Sequence, residues 1–377
     1  MLKFNKKFGS FDKIRLKKEI QALSRFSPLK TKKQPMIGVD ISSSSVKIVS
    51  LSKKENEYIL NGYSIKPIPT GAIVDGNISD IDSLGSVILD ALNECNSTIK
   101  NVACSIPNSK SITKNINLPS SIPESELEGQ VQTEMIKHIP YALEEINLDF
   151  QFNKQLNEDV NEFTVIATKS ENIDSLVAVL ELAELIPKIV DVEIYAVENA
   201  VNFISKVNKE FSIDNVLGVV DIGISATKLS VLENGKLTYT REQTFGGKQL
   251  LNDLQRSLGL SLKDSRELLR SGENIESEQQ PIIETFMASA TQEIERALQL
   301  FYSSENAARL DSIVLAGGFS SMTGLSQKIA DGSGTHSFVI SPFTNISVNE
   351  SLEKSKLVND QPALLTAMGL AIRGLSE

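Results

Sequence analysis

From Met36 onward the apolar positions fall at strand spacing. MIGVDIS, VKIVSLS and EYILNGYSI are short runs rich in β-branched residues, separated by polar turns, and they predict a three-stranded meander. A helical period follows. Ile81, Leu84, Ile88, Ala91 and Leu92 share one face, with Ser79 as the expected N-cap and Asp82 three residues on. NVACSIP predicts another short strand. Far downstream the same opening returns: VLGVVDIG and ATKLSVLE predict strands, and Asn234-Gly235 a hairpin turn into KLTYT.

Between these openings, residues 111–187 have no counterpart in the second half. Leu127, Val131 and Met135 line one face of a helix opened at Pro123-Glu124, with Pro140 beyond its end. INLDFQFN and EFTVIAT predict strands, and a helix with Ser170 as its cap turns Ile173, Leu176, Val177 and Leu180 inward. The expectation is a small α/β subdomain inserted in a first core made of 36–110, 188–215 and 360–377. The second core, 216–245 and 306–359, carries a helical insert at 246–305. That insert holds KQLLNDLQRSL, a Ser261/Asp264 capping box, and a long helix after Pro281 with Ile283, Phe286, Met287, Ala290, Ile294, Ala297 and Phe301 inward.

Residues 1–33 follow a different pattern. FDKIRLKKEIQALSRF places Phe11, Ile14, Leu16, Ile20, Leu23 and Phe26 as in an amphipathic helix with basic sides, suited to a membrane surface. A helix this short is marginal in water, so a mostly disordered arm is the other expectation. Charge sharpens the contrast. The arm holds eleven Lys and Arg against Asp12 and Glu19, a net of +9, while the whole chain carries −10, which leaves −19 on the remainder. A basic arm suits anionic lipid, nucleic acid or an acidic partner. The acidic body argues against a nucleic-acid-binding core.

Cys95 and Cys104 make no disulfide framework and fit a reducing cytoplasm. The sequence has no run of eighteen apolar residues and no signal-peptide core, so a cytoplasmic protein is expected. With only His138 and His336, and no close cysteine pair, a zinc site is not expected.

The chemistry lies in the repeat. GVDISSSSVKIVSL and VVDIGISATKLSVL align Asp40 with Asp221, Ser44 with Ser225 and Lys47 with Lys228, each 181 positions apart. An interval this long points to two related halves, since solenoid repeats recur every few tens of residues. Small residues in a turn let backbone N–H groups approach a polyphosphate and form an anion-accepting nest. Ser42, Ser43, Ser44 and Ser45 would serve in the first turn, with Lys47 returning along the second strand. Gly223, Ser225 and Thr227 would serve in the second turn, with Gly223 free to adopt positive φ or to admit close approach. Asp40, and by the same position Asp221, would hold Mg²⁺, largely through water. A third element, IVLAGGFSSMTGL, is a strand, a Gly317-Gly318 pair followed by Phe319, and then a helix, where a nucleoside can approach the backbone.

Two phosphate loops followed by an adenosine motif resemble the actin, heat-shock chaperone and sugar kinase superfamily over residues 36–377. Within it the chain looks most like the PilM family of type IV pilus assembly proteins, and secondarily like the FtsA cell-division family. GVDISSSSVKIVSL, ELEGQVQTEMIKHIPYALEEINLDFQ and PALLTAMGLAIRGL carry the closer resemblance. It implies an α/β, actin-like fold: a duplicated ribonuclease H-like core in two domains, each with an inserted subdomain, the first being the 1C subdomain of FtsA and PilM. It also implies ATP or ADP with Mg²⁺ in the cleft. Asp40 and Asp221 would then be the metal-side carboxylates, and Gly317, Gly318 and Phe319 would meet the adenosine. Glu193 stands where the superfamily orients an attacking water; a Glu at a helix start is also favourable with the macrodipole alone.

Two departures weaken turnover. Ser42 replaces the usual Gly of the first loop, and Arg266 and Leu269 stand where many relatives carry Glu and Lys near the ribose and purine. Nucleotide binding is therefore expected ahead of efficient hydrolysis, with at most a slow ATPase. The resemblance implies a cytoplasmic scaffold peripheral to the inner membrane. It would hold the N-terminal peptide of a PilN-like protein in a groove beside the insert, with lipid contact through residues 1–33 and room for self-association. A filament-forming FtsA-like protein is the alternative, and a small-molecule kinase a more distant one.

Overall fold

Two β-sheets with the same strand order carry the chain. The computed structural model describes residues 35–375 apart from 56, 209–210, 212–215, 272–276 and 306. The basic arm expected over 1–33 lies outside the described residues.

The first meander is β1 (Ile37–Ile41), β2 (Ser45–Lys54) and β3 (Glu57–Pro67). A small ribbon of β4 (Ile73–Val74) and β5 (Asn77–Ile78) leads into α1 (Ile81–Cys95) and then β6 (Asn101–Ile106). The insert follows, with β7 (Ser111–Pro119), α2 (Glu124–Met135), β8 (Ile146–Asn157) and β9 (Val160–Lys169). Helix α3 (Ser170–Leu182) and β10 (Ile186–Val192) return to the first sheet, and α4 (Glu193–Val207) leads towards the second. The second meander is β11 (Val216–Ile222), β12 (Thr227–Glu233) and β13 (Lys236–Gln243). Helices α5 (Lys248–Leu258), α6 (Leu262–Ser271) and α7 (Gln280–Tyr302) come next. They precede β14 (Ser312–Ala316), α8 (Leu325–Ser333) and β15 (Ser337–Val339). The tail adds β16 (Ser347–Val348), α9 (Lys354–Asp360) and α10 (Leu365–Ile372).

The strand orders are β10-β6-β1-β2-β3-β16 and β13-β12-β11-β14-β15. In both, the first strand is antiparallel to the second and parallel to the fourth. The registers also agree, since Asp40 faces Lys47 across one hairpin and Asp221 faces Lys228 across the other. The 181-residue repeat is thus a duplicated fold. Asn234 and Gly235 both take positive φ, at 51° and 72°, as the expected hairpin turn requires.

Packing redraws the insert boundaries. Ile173, Leu176, Val177 and Leu180 of α3 bury in the first domain's core with Leu84 and Ile88 of α1, so α3 belongs to that core and not to the insert expected over 111–187. The insert has its own core of Ile116, Leu118, Val131, Met135, Phe163 and Val165 under a sheet ordered β7-β9-β8. Strand β7 was not expected, although Ile112, Ile116 and Leu118 already lie at even spacing. In the second half, α7 buries Ile283, Phe286, Met287 and Ile294 against Val220, Ile222 and Val231 of the sheet. Leu250 and Leu254 of α5 join the same core, so the helices expected as an insert at 246–305 pack directly on the second sheet. Two caps also shift. Asp80, not Ser79, accepts from the Ser83 N–H at 3.0 Å. Ser170 is the first helical residue, and its hydroxyl accepts from Asn147 Nδ2 at 3.0 Å. The Ser261 cap stands, with its Oγ accepting from the Asp264 N–H at 3.1 Å.

Helix α10 joins the halves. All eight of its residues are buried. Leu365, Ala367, Met368, Ala371 and Ile372 share one apolar core with Val49 and Leu51 of the first sheet, Val197 and Val201 of α4, and Leu217, Val219 and Val314 of the second sheet. The approach is backbone to backbone: a Cβ on Gly38 would strike the Ala367 carbonyl oxygen, and one on Gly369 the Ala196 carbonyl oxygen. Gly38→Ala or Gly369→Ala is expected to cost roughly 1–3 kcal/mol by overpacking. Gly129→Ala, on α2 with nothing near the added methyl, is expected to gain ~0.5–1 kcal/mol. Urea unfolding of the three variants measures the contrast, and a neutral Gly369→Ala would show that α10 stands further off than described.

Candidate functional site

Asp40 and Asp221 sit near the carboxyl ends of the central strands, where open α/β sheets receive ligands. The turn after each is closed by the same bond. The Ser42 N–H donates to the Ser45 carbonyl at 3.0 Å, and the Gly223 N–H to the Ala226 carbonyl at 3.0 Å. None of residues 42–45 takes positive φ, so Ser42 fills the usual Gly position without strain. Gly223 does not use positive φ either. Its close approach does hold, since a Cβ there would lie 3.0 Å from the Ala226 oxygen. The second turn is also braced by the start of α5, whose Gly247 and Lys248 N–H groups donate to the Gly223 and Ile224 carbonyls at 3.0 and 2.8 Å.

The two turns meet. Ser43 Oγ and Ser225 Oγ are 3.1 Å apart and hydrogen-bonded across the cleft. Behind them the lysines behave differently. Lys47 Nζ donates to Asp40 Oδ2 at 2.8 Å and to Ser42 Oγ at 3.2 Å, within its own hairpin. Lys228 Nζ instead donates to both carboxylate oxygens of Glu193 at 2.6 Å, an ion pair between the second sheet and the first turn of α4. Burial pushes the Asp221 carboxyl up to about 6, and Glu193 and Asp40 add to that against the pull of Lys228 and Lys47. Burial lowers the Lys228 ammonium, yet Glu193 and Asp221 outweigh it and raise the group overall.

Gly317 takes φ +89°, and a Cβ there would strike Asp221 Oδ1 and the Ile222 carbonyl. Its glycine identity is therefore set by the carboxylate beside it. Gly318 is exposed, with nothing within 4 Å of the position a Cβ would take, so a ligand can reach the backbone there. Phe319 points elsewhere. Its ring lies against Gly247 and 6.2 Å from the Phe286 ring, so it packs the second core and not an adenosine face. Thr227 also turns inward. It is 5% exposed, and its hydroxyl donates to the Phe245 carbonyl at 2.9 Å, away from the turn.

Lys228 was missed as a site residue, although the repeat already paired it with Lys47. Glu198 and Asn202 on α4 were missed too. The Leu237 N–H donates to Glu198 Oε2 at 2.8 Å, and Asn202 Nδ2 to the Gly235 carbonyl at 2.6 Å, so α4 holds the second meander at three points.

The family model "Type IV pilus assembly protein PilM" matches residues 38–375. The chain belongs to that family. Among solved structures, a PilM–PilN type IV pilus biogenesis complex is similar with a TM-score of 0.76 and 26% identity, covering 92% of this chain and 100% of that one. The ethanolamine utilization protein EutJ from Carboxydothermus hydrogenoformans is similar in fold, with a TM-score of 0.55 and 15% identity over 96% of this chain and 99% of that one. The fold is actin-like, and the family's role in type IV pilus assembly displaces the cell-division and kinase alternatives.

The site suits a Mg²⁺-nucleotide in its charge and in its glycines. Asp40 pairs with Lys47 and Glu193 with Lys228, which leaves Asp221 as the carboxylate able to accept a cation. Among the described residues no group of three or more His, Cys, Asp or Glu side chains could hold a metal. An ion held by one carboxylate, water and phosphate oxygens fits that arrangement.

For the nucleotide-free protein, Asp221 predicts a pH dependence. Its folded value of about 6 exceeds its ordinary 3.8, so the native state holds more protons between the two values. The stability this provides is complete below the ordinary value and lost as pH rises through 6. Asp221→Asn should therefore melt above wild type at pH 7.5, by up to ~3 kcal/mol, with the gap closing toward pH 4. Thermal melts across that range test it, and equal melting at pH 7.5 would refute it.

Proposed function

We propose that this chain is a nucleotide-binding scaffold of the pilus assembly platform, which holds the N-terminal peptide of a PilN-like membrane protein. One observation carries the peptide reading. A groove of about 280 Å³ lies between the insert and the first domain. Ile112, Ile139 and Ile146 supply apolar surface, Tyr141 stands at its edge 41% exposed, and Lys110 and Lys169 add charge. Lys169 Nζ sits 4.8 Å from the Tyr141 ring centroid and pairs with Glu171 Oε1 at 3.2 Å, so that edge is aromatic and carries both charges. An extended peptide gains pockets for apolar side chains and polar partners for its main chain in such a place. The solved relative titled a PilM–PilN complex supports a PilN-like occupant.

The cleft between the two turns is proposed to take Mg²⁺-ATP or ADP. Ser43, Ser44, Ser225 and Lys47 would meet phosphate, Asp221 the metal side, and Gly317 and Gly318 the nucleoside. The bound nucleotide supplies a multiply charged anion that both domains can grip, and this chain's part is to bind and orient it. Closure of the cleft needs no hydrolysis. Among the described residues no helix is long and apolar enough to cross a membrane. Attachment at the cytoplasmic face of the inner membrane is proposed to come through the partner, with residues 1–33 adding attraction to anionic lipid.

A fluorescent peptide from the N-terminus of a PilN-like protein tests this by anisotropy. Tyr141→Ala and Ile112→Glu should each weaken binding roughly tenfold or more. Leu300→Ser, at an exposed apolar position on α7, should leave it unchanged. A peptide that ignores the groove variants, or fails to bind wild type, would overturn the reading.

A further inference from the structure

The two hairpins share a register and a turn, yet their lysines take different partners. In the first, Lys47 stays with the carboxylate opposite it, Asp40, at 2.8 Å. In the second, Lys228 leaves the carboxylate opposite it, Asp221, and pairs with Glu193 from the other domain through both oxygens at 2.6 Å. The pair is not sealed from the cleft, since the Lys228 and Glu193 side chains keep 25% and 16% of their exposure. Beside them is a cavity of about 10 Å³, edged also by Asp221, Val219 and Ser230. It has room for about one water.

We propose that Lys228 is the phosphate-sensing residue of the cleft: a polyphosphate entering between the two turns takes its ammonium from Glu193, and binding thereby unfastens the first turn of α4 from the second sheet. This rests on the nucleotide reading of the cleft. A phosphate chain cannot pass between Ser43 and Ser225 while their hydroxyls are hydrogen-bonded at 3.1 Å, so entry must part the turns. Two lysines stand behind them: Lys47, held within its own hairpin by Asp40 and Ser42, and Lys228, whose partner is the single carboxylate of Glu193 from the other domain. Glu193 offers one negative charge in competition with several on a polyphosphate, and charge-assisted bonds favour the denser anion.

The rest of α4 stays attached while its first turn is freed. Glu198 accepts from the Leu237 N–H and Asn202 donates to the Gly235 carbonyl, both at the far end of the second meander. Loss of the Glu193 contact alone leaves these as a pivot. The movement then reaches the insert through a short path. Tyr195, two residues along α4, has its hydroxyl beside Thr113 of β7. Thr113 adjoins Ile112 of the peptide groove in the chain.

The two sides of the ion pair give the test its sign. Competition requires opposite effects on affinity, whereas a merely structural bridge requires the same direction from both. Calorimetric titration with Mg²⁺-ATP and with inorganic tripolyphosphate should show Lys228→Gln binding about tenfold or more weakly than wild type. Glu193→Gln should bind several-fold more tightly, and Lys228→Arg should restore most of the affinity. Hydrogen exchange on the wild type should show faster exchange over residues 193–197 on adding Mg²⁺-ATP, and slower exchange over 42–45. Both variants must first show cooperative melting.

If Glu193→Gln and Lys228→Gln both weaken binding, or if 193–197 becomes protected, the sensing role is overturned while the nucleotide reading stands. If wild type binds neither ATP nor tripolyphosphate, the nucleotide reading fails and this inference with it.

Discussion

The architecture depends on how closely one short helix can approach its neighbours. Helix α10 lies against β1 and α4 at backbone contact, which only Gly38 and Gly369 allow. That contact lets a single apolar layer serve both sheets, with Val49 and Leu51 on one side and Leu217 and Val219 on the other. Because the sheets share that layer, their hairpin turns come within hydrogen-bonding distance at Ser43 and Ser225. A cleft built this way has little slack, as protein interiors transmit strain through close packing.

Duplication gave the cleft two similar walls, and the differences between them are where specificity resides. The first wall is internally satisfied, its lysine bound to its own aspartate and serine. The second is braced from behind by α5 and α8's leading loop, and its lysine reaches across to the other domain. Asp221 is thereby left as a half-buried carboxylate with its pKa raised. Such groups are costly to the fold and tend to mark functional positions. The duplicated core thus keeps one lysine within its own hairpin and one paired across to the other domain.

How much of this was legible in the sequence follows from the range of the forces involved. The repeat, the two meanders and the Asp-to-Lys spacing are local properties of a strand, a turn and a strand, and they could be read directly. The direction of a side chain is not local. Thr227 and Phe319 lie in the right segments but face Phe245 and Gly247, because the helices behind them decide the rotamers. Glu193 and Lys228 are 35 residues apart in different domains, and no spacing rule joins them. The pattern of α3 showed which face is apolar but not which core would receive it. The peptide groove is drawn from several segments, with Ile112, Ile139, Tyr141 and Ile146 brought together only by the sheet order β7-β9-β8.

The position of α10 in the chain has a consequence for how the protein is made. The helix that completes the first domain's core lies more than three hundred positions after the strand it covers. Domains usually fold in order from the N-terminus as they emerge, but here strands β1 and β2 wait for residues more than three hundred positions later. The nascent first domain therefore keeps an apolar face uncovered until α10 has been made. Its final collapse waits for that helix, whose docking locks both sheets together.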